Sequence, residues 1–292
     1  MKIRLYYFIV AFLLLLIAVE FIYTRLIFSA ERTVYLMGTP VRIKIYGVNS
    51  PFHTRLAFER IWWIERDFNR FRKDSQVSLL NELAGKAPLE VSCDTFECLK
   101  LAKKMASLTR GSFDVTGGHD RSLVLDHKTR KVFLKKKGAV IDLGGIGKGY
   151  AAEVVRKLLM DKGAKSGMID MHSSIAVFGP RTWRVGIQHP REKERQLGMV
   201  VLDGSDSLAT SGDYERGQHI IDPRTGRPAT KAQSVTVIGK NAAVTDALST
   251  ALFVLGPEAG IRLVETLPEI EALIVARNGR IVKSSGFALE KK

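Results

Sequence analysis

An apolar run from Leu5 to Val19, broken at Glu20 and resumed by Phe21-Ile22-Tyr23, heads the chain. It is short for a full membrane span but workable, with Tyr6, Tyr7 and Tyr23 placed for the two interfaces. This divides the chain into residues 1–30, a membrane anchor or signal segment, and residues 31–292, a single folded domain. A cleaved signal peptide is the alternative. Phe28-Ser29-Ala30 is a poor cleavage site, because Phe28 sits where a small residue is wanted, and no Cys follows the run to take a lipid. The expectation is therefore an uncleaved, single-pass transmembrane helix in the inner membrane, with the domain on the periplasmic side. Flanking charge sets that orientation only weakly, since Arg25 and Arg32 lie beyond the run.

The net charge is +15 and the hydrophobic fraction 46%, which fits a globular domain and rules out disorder as the default. An excess of this size suits nucleic acid, anionic lipid or an acidic substrate. The basic residues are scattered, with no zinc-finger spacing, recognition helix or aromatic RNA-binding motif, so lipid is favoured and no nucleic-acid partner is expected. Cys93 and Cys98 are close enough for a disulfide in an exported chain, or can be two free thiols. Without nearby histidines they cannot form a structural zinc site.

The pattern beyond the anchor mixes strands and helices. Val34 to Tyr46 alternates as a strand, and Ser50-Pro51 starts a helix with Ser50 as its N-cap. Further helices are expected from Ser75, from about Asp94 (the N-cap) to Leu108, from about Lys148 to Lys162, from Asn241 to Gly256, and from Pro257. Strands are expected at Val132–Leu134, Val140–Asp142, Met168–Met171, Ile175–Phe178, Trp183–Ile187, Met199–Leu202 and Ser234–Ile238. A closing hairpin turns at Asn278-Gly279. Without strict alternation this is α+β, a mixed β-sheet core with flanking helices.

Three segments carry chemistry. In Asp142-Leu143-Gly144-Gly145-Ile146-Gly147-Lys148-Gly149-Tyr150 a strand end, a glycine turn and a helix start can leave backbone N–H groups free for an anion. The Walker pattern and the dinucleotide fingerprint both fail on spacing, and a plain tight turn is the alternative. In His219-Ile220-Ile221-Asp222-Pro223-Arg224-Thr225-Gly226 a His precedes a turn, after a polar loop from Thr210 to Arg216. In Thr245-Asp246-Ala247-Leu248-Ser249-Thr250, Asp246 and Thr250 share one face of an otherwise apolar helix. A buried carboxylate there needs a partner, either a divalent cation or a hydrogen bond across helices.

Together with Met37-Gly38-Thr39, Phe71 through Asn81 and Gly111-Ser112-Phe113-Asp114-Val115-Thr116, these segments occur in the order found in ApbE-type flavin transferases, which the chain resembles over nearly all its length beyond the anchor. The resemblance implies an ApbE-like fold and an exported enzyme that uses FAD and Mg²⁺. Such an enzyme moves the FMN half of FAD to a Thr or Ser hydroxyl of a target protein and releases AMP. The target would be a membrane redox subunit or an exported flavoprotein. Hydrolysis of FAD to FMN and AMP, or flavin binding without catalysis, are the alternatives. The implied flavin-nucleotide contacts fall on Met37, Phe71, Ser112, Phe113, Asp114, Asp142, Lys148 and Ile220. The implied metal ligands fall on Gly145 through its carbonyl, Asp246 and Thr250, and the implied general base on His219. The chain departs from the family pattern at Asp170-Met171-His172-Ser173-Ser174, where an Asn and paired glycines are usual, in a short stretch between Thr116 and Asp142, and in having Phe71 for Tyr and Glu153 for Asp.

Overall fold

The computed structural model describes residues 2–22, 28–214, 217 and 219–290. Tyr23 and Arg25 of the anchor reading, and Glu215 and Arg216 of the polar loop, lie outside them. The leading run forms α1 (Lys2–Ile22), whose described side chains, Tyr7 to Val19, are all exposed. Among the described residues no helix is long and apolar enough to cross a membrane.

Beyond α1 the chain alternates irregularly between strands and helices. First come β1 (Ser29–Leu36), β2 (Thr39–Tyr46), α2 (Ser50–Phe68), α3 (Gln76–Glu82), β3 (Leu89–Glu90) and α4 (Cys93–Leu108). Then follow β4 (Leu123–Asp126), β5 (Lys131–Leu134), α5 (Gly147–Asp161), β6 (Ser166–Asp170), β7 (Ser174–Phe178), β8 (Trp183–Gln188), β9 (Gln196–Leu202) and β10 (Ser207–Gly212). The chain closes with β11 (Ile221–Asp222), β12 (Arg227–Pro228), β13 (Ala232–Gly239), α6 (Ala242–Leu255), α7 (Pro257–Val264), β14 (Glu271–Ala276) and β15 (Ile281–Lys283).

Eight strands make the main sheet, in the order β1-β2-β6-β7-β10-β13-β14-β15. Every neighbouring pair is antiparallel, which corrects the expectation of a mixed sheet. For three of the pairs the reason is connection length: Met37-Gly38, Met171–Ser173 and Arg277–Arg280 are turns too short to carry a parallel crossover. What reads as one strand from Val34 to Tyr46 is the hairpin β1–β2, broken where Met37 (φ 52°) and Gly38 (φ 72°) both take the left-handed conformation. β1 starts at Ser29, so the sheet begins two residues before the expected domain boundary.

The two faces of the sheet carry separate cores. On one, α2, α5 and α6 pack Ile61, Ile64, Val155 and Leu248 against Val41, Ile43, Ile45, Val235 and Ile274. On the other, the β8–β9 ribbon and Phe287 cover Met168, Val177, Leu208 and Leu273. β2 shows how one strand serves both: Val41, Ile43 and Ile45 point to the helices, while Arg42, Lys44 and Tyr46 point away.

Local departures from expectation have local causes. The N-cap of α4 is Ser92, whose side chain accepts from Thr95 N–H, and not Asp94. Ser50 lies inside α2, and Asn49 precedes it without a capping bond. Val140–Asp142 is in no strand. The Asn81 amide takes the place of one, accepting from Ile141 N–H at 2.6 Å and donating to its carbonyl at 3.0 Å. Thr210–Gly212, read as loop, is the end of β10, and His219 sits in a loop before β11. Cys93 is exposed and Cys98 buried, and both are free thiols.

Candidate active site

A cleft of about 870 Å³ opens at one end of the sheet, above the glycine turn and beside α6. All twelve residues singled out from the sequence line it: Met37, Phe71, Ser112, Phe113, Asp114 and Asp142 together with Gly145, Lys148, His219, Ile220, Asp246 and Thr250. They come from six separate stretches of chain.

The glycine turn folds tightly on itself. Asp142 Oδ1 accepts from Gly144 N–H at 2.8 Å, and the Leu143 carbonyl accepts from Ile146 and Gly147. Gly149 N–H is donated to Asp246. The N–H groups of Gly145 and Lys148 then stand without an acceptor among the described residues. This narrows the anion site read from the sequence to two backbone donors and the Lys148 ammonium at the first turn of α5.

Asp246 is the chemical centre of α6. It is buried, and its Oδ2 accepts from Gly149 N–H at 2.8 Å, the one hydrogen bond to this carboxylate among the described residues. Burial pushes its pKa up, while the Lys148 charge and the Gly149 hydrogen bond pull it down. Gly149 is needed for this approach: a Cβ there would overlap the Ala242 carbonyl and the Asp246 Cβ. Thr250 lies one helical turn on. Its Oγ1 is 3.3 Å from Ser211 Oγ, which also bonds Ser249 Oγ at 2.8 Å. A Cβ built on Gly145 would sit 3.1 Å from Thr250 Oγ1, so the glycine turn and α6 converge on one point.

The donor set fits a hard cation: a buried carboxylate with coordination capacity to spare, a hydroxyl, and a carbonyl-bearing turn, all oxygen. Among the described residues no group of three or more His, Cys, Asp and Glu side chains could hold a metal. Oxygens from a substrate would have to complete a cation's shell here.

His219 is exposed at the rim. Its Nδ1 lies 3.0 Å from the Gly217 carbonyl. A carbonyl oxygen can only accept, so Nδ1 carries a proton, and in the neutral ring the lone pair is then on Nε2. Asp114 and Ser112 are organisers. Asp114 accepts from Thr116 N–H and Oγ1, Gly118 N–H and Asp120 N–H, which spends both oxygens on the loop below the cleft. Buried Ser112 donates to the Thr109 carbonyl at 2.8 Å. Phe71 is 83 % exposed at the cleft mouth.

Sequence reasoning missed two parts. Arg70 lines the cleft, stacks over the Phe71 ring at 4.6 Å and reaches Asp142 at 3.5 Å. Its place beside Phe71 was the available signal. Glu153 and Arg156 form a buried ion pair on α5. Glu153 accepts from Ala242 N–H at 3.0 Å at the start of α6, and Arg156 donates to the carbonyls of Val177, Ser205, Asp206 and Lys240. The i,i+3 spacing of opposite charges on a helix carrying Ala and Val on its other faces was the sign of it.

A sequence model of the ApbE family matches residues 37–124 and 119–274. The chain belongs to the ApbE family. A Klebsiella pneumoniae protein named FAD:protein FMN transferase is 30% identical, over 86% of this chain and 90% of its own. One of the same name from Treponema pallidum is 28% identical, over 88% and 87%. Among solved structures, an ApbE protein from Thermotoga maritima superposes with TM-score 0.81 at 29% identity, covering 88% of this chain and 97% of that one. The flavin transferase ApbE of Vibrio cholerae gives 0.79 at 25% identity, over 89% and 98%. The ApbE-like fold is thus established over the 88–89% of the chain that these structures cover.

Proposed function

We propose that the cleft binds FAD and transfers its FMN half to a Thr or Ser hydroxyl of a target protein, with AMP as the leaving group. Flavin transfer is what the relatives are named for. The observation in this chain that supports it is the meeting, in one cleft, of His219 with its Nδ1 held by the Gly217 carbonyl, the Gly145/Lys148 anion donors and the Asp246–Thr250 oxygen face. The hydroxyl oxygen attacks the phosphorus nearer the flavin, an O–P bond forms, and the diphosphate P–O bond to AMP breaks. His219 Nε2 takes the hydroxyl proton, and Lys148 offsets charge on the phosphates. Gly145, Asp246 and Thr250 would hold Mg²⁺, which when bound supplies the remaining charge neutralisation on the diphosphate. Met37, Phe71, Phe113 and Ile220 supply apolar surface for the rings, and Arg70, which sequence reasoning missed, adds a cation at the mouth.

We further propose that α1 anchors the protein in the inner membrane, with the domain on the periplasmic side. The support is an exposed, wholly uncharged face from Tyr7 to Val19 and the absence of a lipid-acceptor Cys. The target we propose, as the family resemblance implies, is a membrane redox subunit or an exported flavoprotein. The test is incubation of purified protein with FAD, Mg²⁺ and a candidate target, reading covalent flavin fluorescence in a denaturing gel and AMP release. Target-dependent AMP release with fluorescence on the target is expected. AMP release with no labelled protein, in the presence of a competent target, would instead make the protein an FAD hydrolase.

A further inference from the structure

The outward face of α2 is not the polar face that a surface helix ordinarily presents. Its residues are Phe52, Arg55, Glu59, Trp62 and Trp63, with Arg66 beside them. At 3.6 residues per turn these six fall within an arc of about 100°. Trp62 and Trp63 are 45 % and 44 % exposed and Phe52 is 49 % exposed. The two indoles meet edge to face at 4.8 Å. Arg66 lies 4.4 Å over the Trp63 ring, and Arg55 stands 5.8 Å from the Phe52 ring. Nothing in the core requires this, because Ala57, Ile61 and Ile64 fill the opposite face. Adjacent solvent-facing tryptophans mark a surface that something else covers. Trp and Arg together, each with an apolar body and a polar end, are the side chains that settle at a water–hydrocarbon boundary.

The covalent path says what covers it. α1 ends at Ile22 and the fold resumes at Phe28, so the intervening chain spans at most roughly 20 Å. The exposed Phe28 accepts from Gly47 N–H at 2.8 Å, exposed Val48 follows, and α2 starts at Ser50. The amino end of α2 is thereby tethered close to the end of α1, and Phe28, Val48 and Phe52 continue the apolar stripe toward the tether.

We propose that the outward face of α2 lies on the anionic lipid surface into which α1 inserts. This rests on the anchor reading above. Phe52, Trp62 and Trp63 enter the headgroup boundary, and Arg55 and Arg66 meet lipid phosphates, with Glu59 the one acid on the stripe. α2 runs directly into Asn69-Arg70-Phe71, the rim of the cleft. Seating α2 on lipid therefore turns the cleft mouth toward hydroxyls held near the bilayer surface, which selects membrane-bound targets over soluble ones.

The test uses the full chain in phosphatidylglycerol–phosphatidylcholine vesicles whose acyl chains carry bromine near the headgroup. The chain has three tryptophans, and the third, Trp183, packs on Tyr46 at the opposite face of the sheet. It serves as the internal reference. Tryptophan emission of the parent should shift to the blue on binding and fall in brominated vesicles. In W62F/W63F the remaining emission should be equal with and without bromine. Equal quenching of parent and variant in protein that floats with the vesicles would overturn the docking face and leave the anchor standing. Full-length protein that fails to float would overturn both. A blue shift that appears only on adding a membrane-protein acceptor would assign the face to a protein partner and also overturn the proposal.

Discussion

His219 and Asp246 face the same cleft, yet their environments set them different tasks. His219 is exposed, and a carbonyl on Nδ1 fixes the tautomer of its neutral ring, which leaves Nε2 as the nitrogen able to accept a proton. His219→Ala should keep FAD binding and slow flavin transfer by about 10²–10⁴-fold, the usual contribution of a general base. FAD titration and the gel assay measure the two separately, and an unchanged transfer rate would reduce His219 to a rim residue. Asp246 is buried, and its carboxyl stays protonated to higher pH than an ordinary Asp. The folded protein then binds a proton that the unfolded chain has already released, so stability falls as pH rises from about 4, the ordinary value of 3.8, through the raised folded pKa. Asp246→Asn keeps the shape and an acceptor for Gly149 N–H but removes that charge. Without metal or FAD the variant should melt higher than the parent at neutral pH and show a flatter Tm–pH profile in this window, while losing transfer activity. Mg²⁺ with FAD should raise the parent's Tm and leave the variant's unchanged. A variant that melts lower than the parent at pH 7, or one that still responds to Mg²⁺, would show that this carboxylate is a structural hydrogen-bonding group.

At the scale of elements, α5 and α6 build the site by their mutual approach. Gly149 permits the crossing, and the Glu153–Arg156 pair locks the start of α6 to β7 and to the turn before β10. Arg156→Met should lower stability by about 3–5 kcal/mol, because it leaves buried Glu153 with only the exposed Lys157, 3.5 Å away, as a cation and strips four carbonyls of their donor. Denaturant unfolding measures this, and a loss below about 1 kcal/mol, the range of exposed pairs, would show the network to be dispensable. How much of this was legible follows the same division. α6 was read correctly from Asn241, whose side chain does accept from Ala243 and Val244 N–H, through to Gly256, because cap and stop signals are local. The hairpin at Asn278-Gly279 was legible for the same reason. The break at Met37-Gly38 was missed because Tyr35 and Met37 extend the odd-numbered apolar row of Val41, Ile43 and Ile45, although the inward positions change to Val34 and Leu36 across the turn. Val140–Asp142 looked like a strand, but its Ile141 bonds the Asn81 side chain, sixty residues away, and Asp142 N–H the Val115 carbonyl, which no local pattern shows. The residues named through family resemblance do line a single cleft. That Asp114 spends both its oxygens on its own loop was not legible, since hydrogen-bond partners across a turn depend on geometry that spacing does not carry.

For the whole molecule, the question is whether the anchor and the catalytic unit are separable. β1 begins at Ser29 and forms the edge of the main sheet, paired along its whole length with β2 up to Leu36, directly before Met37 of the cleft. Phe28 closes that edge through Gly47 N–H. A chain beginning at Phe28 therefore keeps every strand, both cores and all cleft-lining residues, and loses only α1 and the linking residues. It should fold with the parent's melting temperature, bind FAD and label a target presented in solution at the parent's rate, but leave the membrane fraction. A chain beginning at Thr39 removes β1 and Met37, which exposes the apolar row of β2 from Val41 to Ile45 along one side and opens the cleft wall, so it should be unstable or aggregate. Vesicle flotation, thermal melting and the gel assay on the two truncations decide the matter. If the Phe28 chain is folded and active but still floats with vesicles, lipid affinity resides in the domain itself, where the exposed face of α2 is the surface to examine. If it is unfolded, α1 belongs to the fold and the two-part division of the chain fails.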